Sequence, residues 1–219
     1  RGFGSTTCDP DEPFSHVADL AAVIGDGPAV LVGNSQGGRI AIDFALAEPE
    51  RVAGLILAGT AVSGWEVDLT RALSAPEREL VQAIDDAELA GDLERVNTLE
   101  AQLWLDGLQG VVGRVDTPIR DLFFEMNAVA LRAPFLTAED EPPSAVERLH
   151  EIATPTLVVD GALDLQYIRT RTARLAAIIP GARHEIIDGA GHLMALEAPD
   201  AFNQLLLDFV EGRDPIRAR

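Results

Sequence analysis

The chain has 219 residues, 47% of them hydrophobic, which suffices for one sizeable core or for one core with a small inserted subdomain. Its 36 acidic residues against 17 arginines and no lysine give a formal charge of −19, and the scattered cations exclude a nucleic-acid partner, whose phosphates need them clustered. No apolar run reaches the roughly 18 residues of a membrane span, "RGFGSTTCDPDEP" lacks the apolar core of a signal peptide, and the single Cys8 rules out an internal disulfide or thiolate metal site, so a soluble cytoplasmic protein without membrane contact is expected.

In chain order, the first strand signal is "PAVLV" (28–32), followed by the helical pattern "RIAIDFALAEPE" and a second strand, "VAGLILAG" (52–59). From about Val62 to about His150 the texture changes: "ERELVQAIDDAELAGDLERVNTLEAQLWLDGL" is charged and helix-periodic, and no strand pattern interrupts it. A helical insertion is expected there, with the Pro-rich "TAEDEPPSAVE" (137–147) leading back. Strand and helix then alternate again through "PTLVVDG" (155–161), "YIRTRTARLAAIIPG", "HEIIDG" (184–189) and "LEAPDAFNQLLLDFVEG". The pattern predicts an α/β protein, a mostly parallel sheet flanked by helices, with its core in residues 1–61 and 151–219 and a helical cap in 62–150.

The junction after the first strand carries Gly33-Asn34-Ser35-Gln36-Gly37. A serine fenced by glycines between a strand and a helix suits a sharp elbow, in which the serine backbone is strained and side chains at plus or minus two would collide. A serine hydroxyl needs a base, and the base an orienting acid. Of the four histidines, His16 and His150 read as surface or capping residues and His184 as structural, whereas His192 lies in the glycine-flexible loop "GAGHLMALEAP" after the last strand and is the candidate base. "PTLVVDGALD" offers two acids. Asp164, in the loop beyond Gly161, is better placed to reach His192 than Asp160, which reads as a strand-terminal residue bonded to nearby backbone.

With "RGFGST", "GNSQGG", "VVDGALD" and "GAGH" in this order, the chain resembles the α/β-hydrolase superfamily, in its capped serine hydrolase branch, from Arg1 to about Gly212. The resemblance implies that Ser35 attacks, His192 takes and returns the proton, Asp164 holds His192, and the Gln36 N–H supplies half of an oxyanion hole. It also implies segments upstream of "RGFG", including the loop with the second oxyanion donor. Since the sequence begins at Arg1, a truncated piece of a longer hydrolase is expected, the alternative being a shortened protein that has lost its oxyanion loop; such a piece on its own would leave "PAVLV" as an exposed apolar edge strand and lack a donor whose loss costs about 100- to 1,000-fold in turnover.

The expected activity is hydrolysis of a small or medium carboxylic ester or lactone through an acyl-enzyme, without metal or organic cofactor. Trp65, Trp104, Leu165 and Leu193 are candidate walls of an apolar pocket, the aromatics serving equally as the insertion's own core. The "GNSxGG" elbow also resembles that of hydrolases cleaving carbon–carbon bonds in anionic ring-fission products, for which Arg114, Arg120 or Arg132 would receive a carboxylate. A non-catalytic binding protein on the same fold is the third alternative. The expected partner is a small-molecule substrate, and a homo-oligomer is compatible with the sequence.

Overall fold

The computed structural model describes residue 6 and residues 9–115, 117–134 and 136–212; Cys8 and the "RGFGS" stretch lie outside them. In chain order the named elements are α1 (His16–Ile24), β1 (Ala29–Asn34), α2 (Gln36–Ala47), β2 (Val52–Ala58), α3 (Leu69–Ala72), α4 (Ala75–Leu89), α5 (Leu93–Glu100), α6 (Thr117–Ala130), β3 (Thr156–Gly161), α7 (Gln166–Ile178), β4 (Arg183–Ile187), α8 (Met194–Glu197) and α9 (Pro199–Val210). Among the described residues the strands form one parallel sheet in the order β1-β2-β3-β4, the α/β arrangement that the alternating pattern predicts. The last helical pattern is broken in two because Pro199 starts a new helix at its first turn.

The chain clusters into two compact units, Ser15–Glu66 with Glu141–Arg219, and Val67–Asp140 with the segment ending at Phe14. In the sheet unit, Leu55, Leu57 and Val158 face Ile42 and Phe44 of α2 and Leu175 of α7, while Ile56, Ala58, Leu157 and Val159 face Met194 and Phe202. Helices on both faces explain why β2 and β3 are continuous apolar runs rather than alternating ones, each fully buried side chain contributing about 1.5–3 kcal/mol. β1 differs: Leu31 is buried, but Val30 and Val32 are 36% and 48% exposed, so one face of this strand is uncovered among the described residues.

Residues 62–66 and 141–150, which the sequence reading assigns to the insertion, belong with the sheet unit. Val62, Ala145 and Leu149 are buried in the α2-side cluster, with Trp65 and Val146 packed against it. The Ala145 N–H donates to the Ser63 carbonyl at 2.9 Å, joining the two connecting segments.

The helical unit is built from local signals. α4 opens with a capping box, in which Ser74 Oγ accepts from the Glu77 N–H and Glu77 Oε2 accepts from the Ser74 N–H at 2.5 Å. α5 is capped by Asp92 and runs into a π-helical turn, Ala101–Asp106. The buried Asp106 accepts from the Gly113 N–H at 3.0 Å and pairs with Arg120. Arg114 donates to the carbonyls of Asp106 and Leu105, each at 2.7 Å.

Glu100 of α5 accepts from Asn127 Nδ2 of α6 at 2.5 Å. Burial raises its pKa above the ordinary 4.5, opposed by the Asn127 hydrogen bond and reinforced by the charge of Glu88. A carboxylate with a raised folded pKa contributes stability below its unfolded pKa and loses it as pH rises through the folded one. Glu100→Gln, which keeps an acceptor for Asn127 without the charge, is therefore expected to raise the thermal midpoint at pH 7 and to leave it unchanged well below pH 4.5, as calorimetry at the two pH values would read.

Candidate active site

Ser35 stands one residue beyond the end of β1, where its N–H donates to the Ala58 carbonyl of β2 at 2.9 Å. It has φ 52° and ψ −114° and is the one non-glycine residue with positive φ among those described. Such a conformation costs on the order of 1–3 kcal/mol and persists only where its surroundings over-determine it. Here the Ser35 carbonyl accepts from the N–H groups of Gly38 (3.1 Å), Arg39 (3.2 Å) and Ala61 (3.1 Å), and Thr60 Oγ1 lies 3.3 Å away. α2 starts at the next residue, Gln36, whose N–H belongs to the first helical turn and therefore has no intrahelical carbonyl to bind. That leaves it suited to a developing negative charge beside Ser35.

The flanking glycines divide in their reasons. A Cβ at Gly33 would strike the backbone of Gly37, and one at Gly38 would strike Thr60, so both positions need glycine for space. At Gly37 an added Cβ meets nothing within 4 Å, so the expected collision at plus two does not occur; the tight approach is made one residue later, where Thr60 sits against the helix start.

Asp164 and His192 lie beyond the ends of β3 and β4, at 4% and 5% exposure. His192 Nδ1 and Asp164 Oδ2 are 2.8 Å apart, and the other carboxylate oxygen accepts from the Leu165 N–H at 2.7 Å. A carboxylate partner puts the proton on Nδ1 and makes Nε2 the acceptor nitrogen of the neutral ring. The loop backbone is held on both sides of the imidazole, since Glu197 accepts from the Gly191 N–H (2.6 Å) and the Leu193 N–H (2.8 Å). Asn34, with its amide oriented to satisfy both ends, donates to the His192 carbonyl at 3.1 Å and accepts from the Ser35 N–H at 3.3 Å, tying the elbow to the histidine loop.

Gly59, just past β2, backs this pair at φ +50°. A Cβ there would lie 3.0 Å from His192 Nδ1 and 3.2 Å from Asp164 Oδ2. Gly59→Ala combines left-handed strain with displacement of the imidazole, so a stability loss of about 1–3 kcal/mol is expected in denaturant titration, together with slower modification of Ser35 by a fluorophosphonate.

Asp160 is not bonded to nearby backbone as the sequence suggests. Its carboxylate meets the side chains of Thr172 and His184, because it sits within β3 on the face that α7 covers. Arg171 of α7 donates Nε to the Thr60 carbonyl at 2.8 Å, and burial lowers its pKa against the opposing effects of Tyr167, Asp164 and Asp160. His16 is the first residue of α1, and His150 is exposed in a short 3₁₀ turn.

Of the four wall candidates, Leu165 is buried and Leu193 half-buried, each next to a member of the Asp164–His192 pair. Trp65 packs on the core of the sheet unit and Trp104 lies in the π-helical turn of the helical unit. Sequence reasoning missed Gly59, Glu197 and the bridging role of Asn34. Glu197, five residues after His192, carries no signal of its own until α8 turns it back toward the loop backbone.

Residues 1–205 match the model of the alpha/beta hydrolase family. The chain is 30% identical over 189 residues to a 2-hydroxy-6-oxononadienedioate/2-hydroxy-6-oxononatrienedioate hydrolase of Paraburkholderia phymatum, an alignment covering 83% of this chain and 62% of the relative. It thus spans less than two thirds of that curated relative's length. Among solved structures it is similar to a thermophilic esterase of Thermogutta terrifontis (TM-score 0.72, 22% identity, 97% of this chain and 77% of that one). It is also similar to Est816, described as an N-acyl homoserine lactone degrading enzyme (TM-score 0.68, 27% identity, 95% and 80%). The parallel sheet, the strained serine at a strand-to-helix junction and the family match over nearly the whole length make this chain a member of the alpha/beta hydrolase family.

Proposed function

We propose that the chain is a serine hydrolase that cleaves a small or medium carboxylic ester or lactone through an acyl-enzyme. The observation that carries this reading is the buried Asp164–His192 pair at 2.8 Å, in the same compact unit as the left-handed Ser35 and, like it, at the carboxyl edge of the sheet. Ser35 Oγ attacks the substrate carbonyl carbon while His192 Nε2 takes its proton, and the Gln36 N–H stabilises the oxyanion. Collapse of the tetrahedral species breaks the carbon–oxygen bond of the leaving alkoxide, which receives the proton from His192. Water then gives a proton to His192 and attacks the acyl carbon, and the proton returns to Ser35 Oγ as the acid leaves. Asp164 holds the Nδ1–H tautomer throughout and stabilises the transient imidazolium.

Hydrolysis of a carbon–carbon bond in a ring-fission product is a second reading, favoured by the dienedioate hydrolase relative at 30% identity. It requires a receptor for the substrate carboxylate, and the three arginines considered for it each make local bonds, Arg120 to Asp106, Arg114 to the Asp106 and Leu105 carbonyls and Arg132 to the Ala128 carbonyl. Parallel assays with a neutral aryl ester, a lactone and a dienoate ring-fission product separate the readings. Turnover of the ester or lactone with none of the dienoate supports the first; the opposite preference replaces it by the second. No turnover of any probe, with every other function unchanged in Ser35→Ala, would leave the fold as a binding scaffold.

A further inference from the structure

The steps above leave two buried carboxylates of the sheet unit unused, Asp43 of α2 and Asp160, and the second bridges the strands that lead to the acid and the base. Asp160, on β3 and four residues before Asp164, is 1% exposed. Its Oδ2 lies 2.6 Å from His184 Nε2 of β4, and Thr172 Oγ1 of α7 lies 2.6 and 2.7 Å from the two carboxylate oxygens. The hydroxyl has one proton, and its distances of 3.0 Å to the Ile168 and Arg169 carbonyls leave Asp160 as the closer acceptor. Three elements therefore meet at this carboxylate: the strand that runs into Asp164, the helix that starts after it, and the strand that runs into the His192 loop.

The position has mechanical consequences. β4 is a five-residue strand whose sheet neighbour is β3, so the Asp160–His184 contact is a side-chain tie across the ladder that carries the His192 loop. The residue before Thr172, Arg171, donates to the Thr60 carbonyl, and the Thr60 hydroxyl lies 3.3 Å from the Ser35 carbonyl. Adjacent residues of α7 thus reach both the serine elbow and the strands bearing the acid and the base. Apolar side chains would fill the same volume without the directional bonds that fix one arrangement, and a buried carboxylate is costly unless such bonds surround it.

We propose that Asp160, held by His184 and Thr172, is a positioning residue that sets the placement of the Asp164–His192 pair relative to Ser35. This rests on the serine hydrolase reading above. A misplacement of about 1 Å costs on the order of 100-fold in rate, so the role is visible in kinetics separately from stability.

The test is saturation labelling of the full chain by a fluorophosphonate, giving a maximal rate and a half-saturating concentration per folded molecule, with thermal unfolding in parallel. Asp160→Asn is expected to lower the maximal rate by about 10- to 100-fold with the half-saturating concentration nearly unchanged. His184, whose side chain is 26% exposed at the sheet edge, gives the second arm. His184→Gln keeps a donor for Asp160 and should retain most of the wild-type rate, while a folded His184→Leu should fall as Asp160→Asn does. Wild-type rates in folded Asp160→Asn or His184→Leu overturn the inference, as does equal slowing in His184→Gln and His184→Leu. If Asp160→Asn does not fold, the His184 pair decides. An unlabelled wild-type chain overturns the hydrolase reading and this inference with it; a labelled wild type with full-rate variants overturns the inference alone.

Discussion

Ser35→Ala is expected to abolish covalent capture by a fluorophosphonate and to lower turnover of any ester or lactone substrate by about 10⁶-fold, the scale on which a nucleophile's removal disables a triad that acts as a unit. Intact-mass measurement checks it directly: one adduct on the wild-type chain, none on the variant. The substitution removes a single oxygen from a position whose backbone is held by the Ala58 and Ala61 contacts and the first turn of α2, so circular dichroism should be unchanged. Alanine also relieves nothing of the left-handed strain at φ 52°, which the surrounding bonds impose. An adduct of equal yield on Ser35→Ala would mean that another hydroxyl reacts, and the proposed nucleophile would be wrong.

Asp164→Asn should retain the fold and lose turnover by about 10⁴-fold, through the tautomer of His192 rather than through its position. In the native chain, Oδ2 accepts from His192 Nδ1 and Oδ1 accepts from the Leu165 N–H. An asparagine oxygen can keep the Leu165 bond, which turns the amide nitrogen, a donor, toward Nδ1. The imidazole then places its proton on Nε2, the nitrogen that must accept from Ser35. Fluorophosphonate labelling of Asp164→Asn should be correspondingly slow but still confined to Ser35. Labelling at the wild-type rate would show that Asp164 does not act on His192, and attention would pass to Asp160, the carboxylate within β3.

The sequence determined the sheet and the identity of the candidate residues because both are written locally. Continuous Val, Ile and Leu runs ended by glycine mark buried parallel strands, and Gly33-Asn34-Ser35-Gln36-Gly37 carries its own strand-to-helix context. Packing decided the rest. The limits of the helical unit depend on Val62, Ala145 and Leu149 finding the α2-side core, which no local periodicity encodes. Asp164 is legible in the sequence as the better-placed acid from the loop beyond Gly161, whereas the partners of Asp160 on α7 and β4 come only from the pleat and the packing. Gly59 and Asn34 gain their roles across gaps of 133 and 158 residues to His192, separations that only chain closure bridges, whereas Glu197 is turned back onto the loop within five residues by α8. Residue chemistry and local pattern thus fixed which groups are available, and the tertiary structure decided which of them touch, because hydrogen bonding and steric exclusion act over a few ångströms in space irrespective of distance along the chain.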